Sequence, residues 1–193
     1  MQHEIRRSGL PENAKLVFKG VIFEIWQWEQ VMFDGSIEVF EKAWRVPTVD
    51  VLAIVDGKVV LEEQDQPDKK NFFSLPGGRA DQSDDPLVEA KRELFEETGY
   101  QAKNWEELTV RTDSNKVLHD SYLFLARNCK KLSEPQLDRG EKITLKFLEL
   151  DDFIALLHEP RSRIHPSIAN YFLQVCGTAE KKRAFWSHCL QDV

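Results

Sequence analysis

The sequence predicts an α/β or α+β domain with a small antiparallel sheet ahead of it. Three observations lead there. Two Asp-Gly pairs each sit between β-branched runs, strand-like segments alternate with amphipathic stretches, and residues 86–98 are bounded like a helix at both ends. At 193 residues the chain has room for one domain, or for one domain with a small appendage.

The elements follow in order. Residues 31–33 and 37–40 flank Asp34-Gly35, and residues 51–55 and 59–61 flank Asp56-Gly57. Asp-Gly favours the positive φ angles of tight hairpin turns, so both pairs are expected to close hairpins. Pro47-Thr48 falls between them. The expected division is therefore an N-terminal β-sheet subdomain over residues 1–46 and a main domain over residues 47–193. Residues 71–75 read as a short strand stopped by Pro76-Gly77-Gly78. Further strands are expected at 106–112, 117–126 and 143–149, with helices near 151–158, 166–176 and in the polar tail after 178.

The helix between Pro86 and Thr98 is the best specified. Asp85 can cap its N-terminus, Pro86 takes the first position where its missing N–H is harmless, and Gly99 suits a left-handed C-terminal cap. Leu87, Ala90 and Leu94 form an apolar stripe that should pack on a sheet.

Composition excludes several functions. The chain has 26 Lys and Arg against 33 Asp and Glu, a net charge of −7, and it contains no basic run. Binding to nucleic acid or to an anionic membrane, both of which need positive charge, is not expected. Cys129, Cys176 and Cys189 are odd in number and far apart, so a disulfide framework or zinc knuckle is not supported. With no signal-peptide pattern at the start and no apolar run near the length of a membrane span, a cytoplasmic protein is expected. The histidines show no ligand spacing, and no Gly-x-Ser-x-Gly occurs.

The charges of the helix resist a scaffolding explanation. Residues 84–97 hold six acids and two bases, a local charge of −4. Glu89, Glu93 and Glu97 recur every four residues and share one face, with Glu96 beside Glu93 one turn on. Like charges at that spacing cost about 0.2–0.5 kcal/mol per pair, and the helix dipole opposes Glu96 and Glu97 near its C-terminus. A divalent cation would turn this repulsion into coordination, and an all-oxygen donor set favours Mg²⁺ or Mn²⁺ over zinc. A solvated acidic face is the alternative. The bare backbone of Gly77-Gly78, which lets a ligand approach closely, tips the balance toward a site.

These residues resemble the Nudix box of pyrophosphohydrolases. Gly78, five residues, Asp84, seven residues and then Arg92-Glu93-Leu94-Phe95-Glu96-Glu97-Thr98-Gly99-Tyr100 match its spacing without a gap. Asp84 stands where the family has Glu, and Tyr100 where it has an aliphatic residue. The resemblance implies a Nudix α/β/α sandwich with a mixed sheet, in which Glu93, Glu96, Glu97 and the Gly77 carbonyl hold Mg²⁺. It implies that Arg92 orients these glutamates. The implied reaction is attack of water on a phosphoanhydride, releasing two phosphate monoesters.

A second resemblance, to the ADP-ribose pyrophosphatase branch, covers the N-terminal third. It rests on residues 17–20, on Trp26, and on Met32-Phe33-Asp34-Gly35 followed by Glu38-Val39. In that branch the extra sheet builds a homodimer and helps to bind the base, so Trp26 and Trp28, on one face of a strand, are candidates to stack on adenine. Core or dimer packing is the alternative reading of both. Glu141, in Leu137-Asp138-Arg139-Gly140-Glu141, resembles the loop acid of this branch and is the candidate general base or extra metal ligand.

Two features depart from the branch. Residues 61–67 lack its phosphate-binding Arg, leaving Arg79 as the candidate for that contact, and a Pro expected after the box is missing near Lys116. ADP-ribose, cleaved to AMP and ribose 5-phosphate, is the expected substrate. A nucleotide sugar such as GDP-mannose is the alternative, beside a non-catalytic nucleotide sensor and a purely structural module.

Overall fold

The computed structural model describes residues 9–191. Residues 1–8, the region read above for a signal peptide, lie outside them. The chain divides into two compact units. One comprises residues up to Pro47 together with Thr112–Asp120, and the other comprises Thr48–Arg111 and Ser121–Val193. The first unit thus takes in a stretch, Thr112–Asp120, that was expected in the main domain.

In the first unit, β1 (Lys15–Lys19), β2 (Phe23–Val31) and β3 (Ile37–Arg45) form an antiparallel meander. Residues 117–118 pair in parallel with Ala43 and Trp44 of β3. The β2–β3 register pairs Val31 with Ile37 and Glu29 with Val39, so these side chains share one face, on which Val31, Ile37 and Val39 are each more than 60% exposed. Trp28, opposite Phe40, is on the other face, and the two rings lie 6.1 Å apart. The Asp34-Gly35 turn differs from the expectation. Only Gly35 has a positive φ, and Met32 N donates to Ser36 O at 2.8 Å, closing a three-residue loop. Asp34 Oδ1 accepts from Ser36 N and Oγ, which holds the longer loop without a second left-handed residue.

The second unit is an α/β/α sandwich. β4 (Thr48–Val55) and β5 (Lys58–Gln66) join at Asp56-Gly57, where φ is positive at both residues as expected. These strands pair only next to that turn. Beyond it, β5 pairs with β6 (Lys69–Ser74) and β4 with β7 (Gly77–Arg79), so the chain from β6 to β7 runs between the diverging strands. α1 (Pro86–Thr98) follows. β8 (Tyr100–Ser114) and β9 (Val117–Lys131) are longer than predicted, and β9 runs parallel to β4. β10 (Lys142–Leu148) pairs antiparallel with β5 and leads to α2 (Leu150–Leu156), α3 (Pro166–Val175) and α4 (Ala179–Cys189).

Alternation along the buried strands fills both faces of this sheet. Val49, Val51, Ala53, Val60, Phe124 and Ala126 pack against Ala90 and Leu94 of α1. Leu52, Ile54, Leu61, Leu123 and Leu125 pack against Phe153, Ile168, Phe172 and Phe185 of α2, α3 and α4. The predicted α1 stripe is thus the helix face that meets the sheet. Among the described residues no helix is long and apolar enough to cross a membrane.

Candidate active site

Local sequence fixes α1. Asp85 Oδ1 accepts from Leu87 N at 2.9 Å, Pro86 opens the helix, and Gly99 closes it at φ 71° with its N–H donating to Phe95 O. The same end is fastened to the chain after β9. Gln136 N donates to Glu96 O at 2.7 Å, and Leu132 N donates to Gly99 O at 2.9 Å. This segment leads directly into the turn at residues 138–141, where Glu141 Oε2 accepts from Asp138 N at 3.2 Å.

Gly77 and Gly78 press against the helix acids. Gly77 N donates to Glu97 Oε2 at 2.7 Å. Its φ of 152° is one that side chains rarely adopt, and a Cβ there would lie 2.1 Å from Val49 O. A Cβ on Gly78 would lie 2.6 Å from Glu93 Oε1. At Gly77 only glycine permits the approach, because the obstacle is backbone, whereas a side chain at Gly78 would displace the Glu93 carboxylate.

A fourth acid joins from the sheet. Glu62 of β5 is fully buried beside Glu97, with Glu93 and Glu141 in electrostatic reach. Gln64 Nε2 donates to Glu62 Oε2 at 2.6 Å and to Ser74 Oγ at 2.8 Å, while Glu62 Oε1 has no hydrogen-bond donor. Burial, and then the neighbouring acids, push the Glu97 carboxyl well above its ordinary value. Burial likewise raises Glu62, and it raises Glu93 against the opposing pull of Arg92. Glu62 lies outside the box and is not among the residues expected at the site. The one available hint was two adjacent acids directly after the apolar run Val59-Val60-Leu61.

Arg92 is the cation of this face. It meets Glu89 at 2.8 Å, Glu93 at 2.6 Å and Glu96 at 2.6 Å. Burial works against its charge, but these carboxylates hold its pKa above the ordinary value. Glu89, 1% exposed, is thus satisfied by Arg92, and Glu96, more exposed than the buried acids, pairs with Arg92 while its charge also reaches Glu93. Arg79 is exposed at the end of β7, 3.4 Å from Asp81. Trp26 and Trp28 belong to the first unit, where their indole N–H groups donate to Glu24 and Gln30.

Glu62, Glu93, Glu97 and Glu141 therefore gather around a glycine pair, and Arg92 is the only cation paired with any of them among the described residues. A family model described as the NUDIX domain matches residues 44–170. This chain belongs to the Nudix family. As a Nudix hydrolase, it has relatives with several described activities. It is 28% identical over 148 residues to an ADP-ribose pyrophosphatase of Bacillus subtilis, covering 73% of this chain and 78% of the relative. It is 30% identical over 156 residues to a methanol dehydrogenase activator of Bacillus methanolicus, covering 77% and 83%. A solved ADP compounds hydrolase superposes with a TM-score of 0.67 over 84% of this chain and 90% of that one, at 18% identity, which supports the Nudix fold.

Proposed function

We propose that this Nudix hydrolase is Mg²⁺-dependent and cleaves nucleoside diphosphates linked to a second moiety. ADP-ribose is the first substrate, and AMP and ribose 5-phosphate are its products. The observation that carries the proposal is the gathering of carboxylates at Gly77-Gly78 with too little positive charge to balance them. The donor set fits a hard divalent cation, since every group in it is an oxygen. Glu93, Glu96, Glu97 and the Gly77 carbonyl would hold Mg²⁺ or Mn²⁺. When bound, the metal would neutralise phosphate charge and lower the pKa of a coordinated water.

The chain's own residues supply the remaining parts. Arg92 fixes the rotamers of Glu93 and Glu96 through hydrogen bonds to both. Gly77 N–H holds Glu97 in place, and Glu141 is the proposed general base. Arg79 is the exposed cation nearest in sequence to the glycines and is proposed to contact phosphate. The Bacillus subtilis relative's description supports ADP-ribose over other linked nucleoside diphosphates.

The test is incubation with Mg²⁺ and ADP-ribose, GDP-mannose or diadenosine polyphosphates, with products separated by chromatography. AMP from ADP-ribose is expected, and no turnover of any of these compounds would overturn the proposal. We further propose a homodimer joined through the first unit in a reducing, cytoplasmic setting. The exposed row of Val31, Ile37 and Val39 supports self-association. Light scattering on the full chain should give twice the monomer mass.

A further inference from the structure

We infer that Glu62 is a ligand of the divalent cation, so that the metal bridges a buried acid of the sheet and Glu97 of the helix. This inference rests on the metal reading above and extends it to a residue outside the box. Glu62 has no exposed surface, yet its Oε1 finds no N–H or hydroxyl donor, and besides Gln64 the group in hydrogen-bond reach of this carboxylate is the Glu97 carboxyl. A buried carboxylate oxygen without a donor is strongly disfavoured unless a charge or proton reaches it.

The neighbours decide what reaches it. Two ionised carboxylates cannot hydrogen-bond each other, so Glu62 and Glu97 need a positive group between them. A shared proton would remove one negative charge and leave those of Glu93 and Glu141 close by. A divalent cation removes two and gives the orphan oxygen a partner. The surroundings also aim Glu62 toward Glu97. Its Oε2 is held by Gln64, which is anchored in turn on Ser74, and the strand pairs with β6 on one side and β10 on the other. The carboxylate is therefore a fixed donor on a rigid element, the arrangement that a ligand requires.

The experiment titrates Mn²⁺ alone, with no nucleotide, into the full chain and follows free Mn²⁺ by electron paramagnetic resonance. Wild type is compared with Glu62→Gln, Glu62→Leu, Glu63→Gln and Glu97→Gln, with a thermal melt of each metal-free protein. The expected result is affinity weakened about 10–100-fold or more in both Glu62 variants, the scale on which support of a metal site is lost. Their metal-free melting temperatures should rise, because the repulsion with Glu97 is gone, and Glu63→Gln should bind as wild type does. The leucine variant guards against a misfolded glutamine variant, since it extends the apolar run Val59-Val60-Leu61 by one residue. Mn²⁺ affinity equal to wild type in the folded Glu62 variants, with binding lost in Glu97→Gln, would overturn this inference alone. A wild-type chain that binds no Mn²⁺ would overturn it together with the metal reading.

Discussion

Glu62 and Glu63 are consecutive on one strand and live in opposite electrostatic worlds. Glu63 meets Lys146 at 3.1 Å and Arg161 at 2.6 Å, and hydrogen bonds from these two cations hold its carboxyl below the ordinary value. Glu62 points to the α1 side, where it meets acids and its carboxyl is raised. The two residue types are identical, and the two-residue period of the strand separates them. An acid that stabilises a fold brings its cation with it. An acid that waits for a ligand leaves that position open.

The largest expected effect falls on the open side. Glu97→Gln should lower turnover of ADP-ribose by orders of magnitude while the metal-free fold melts no lower than wild type, as kinetics and a thermal melt would show. Full activity in that variant would erase the contrast. Arg92→Ala should destabilise the protein by about 3 kcal/mol in urea unfolding, because it strands the buried Glu89 without its cation. Arg92→Lys should recover only part of that loss, since an ammonium cannot serve three carboxylates in a planar fork.

The pH dependence of metal-free stability should separate the two sides by sign. Glu62, Glu93 and Glu97 are raised in the fold, as is Asp50, which burial lifts to about 7. The folded chain therefore holds more protons than the unfolded one above the ordinary carboxylate range, and stability falls as pH rises through neutrality. A chelated sample should melt higher at about pH 6 than at about pH 8, and Glu62→Gln should flatten that slope. Glu63 acts the other way, since its contribution is present at neutral pH and lost as acid protonates it. The smallest effect is expected there, because Glu63→Gln should change stability by less than about 1 kcal/mol and leave activity intact.

What the sequence made legible was local. Asp85, Pro86 and Gly99 mark both ends of α1 because caps act within a few residues, and the spacing of Glu93, Glu96 and Glu97 reads directly as one helical flank. Asp56-Gly57 likewise behaves as its dipeptide predicts, whereas at Asp34-Gly35 a side-chain bond to Ser36 selects a longer loop. The features that stayed hidden depend on distant partners. Which member of the Glu62-Glu63 pair turns inward is decided by pairing with β6 and β10, and the assignment of Thr112–Asp120 to the first unit follows from its pairing with Ala43 and Trp44.

The fastening of residues 132–136 onto the end of α1 carries a consequence for how such an enzyme can change. Gln136 and Leu132 are clipped to the carbonyls of Glu96 and of the cap residue Gly99, and the chain then passes through the turn closed between Asp138 and Glu141. Lengthening or shortening that turn would move Glu141 and leave the helix acids, held by α1, where they are. The loop acid can thus be repositioned by insertion or deletion while the carboxylates beside the glycine pair keep their places.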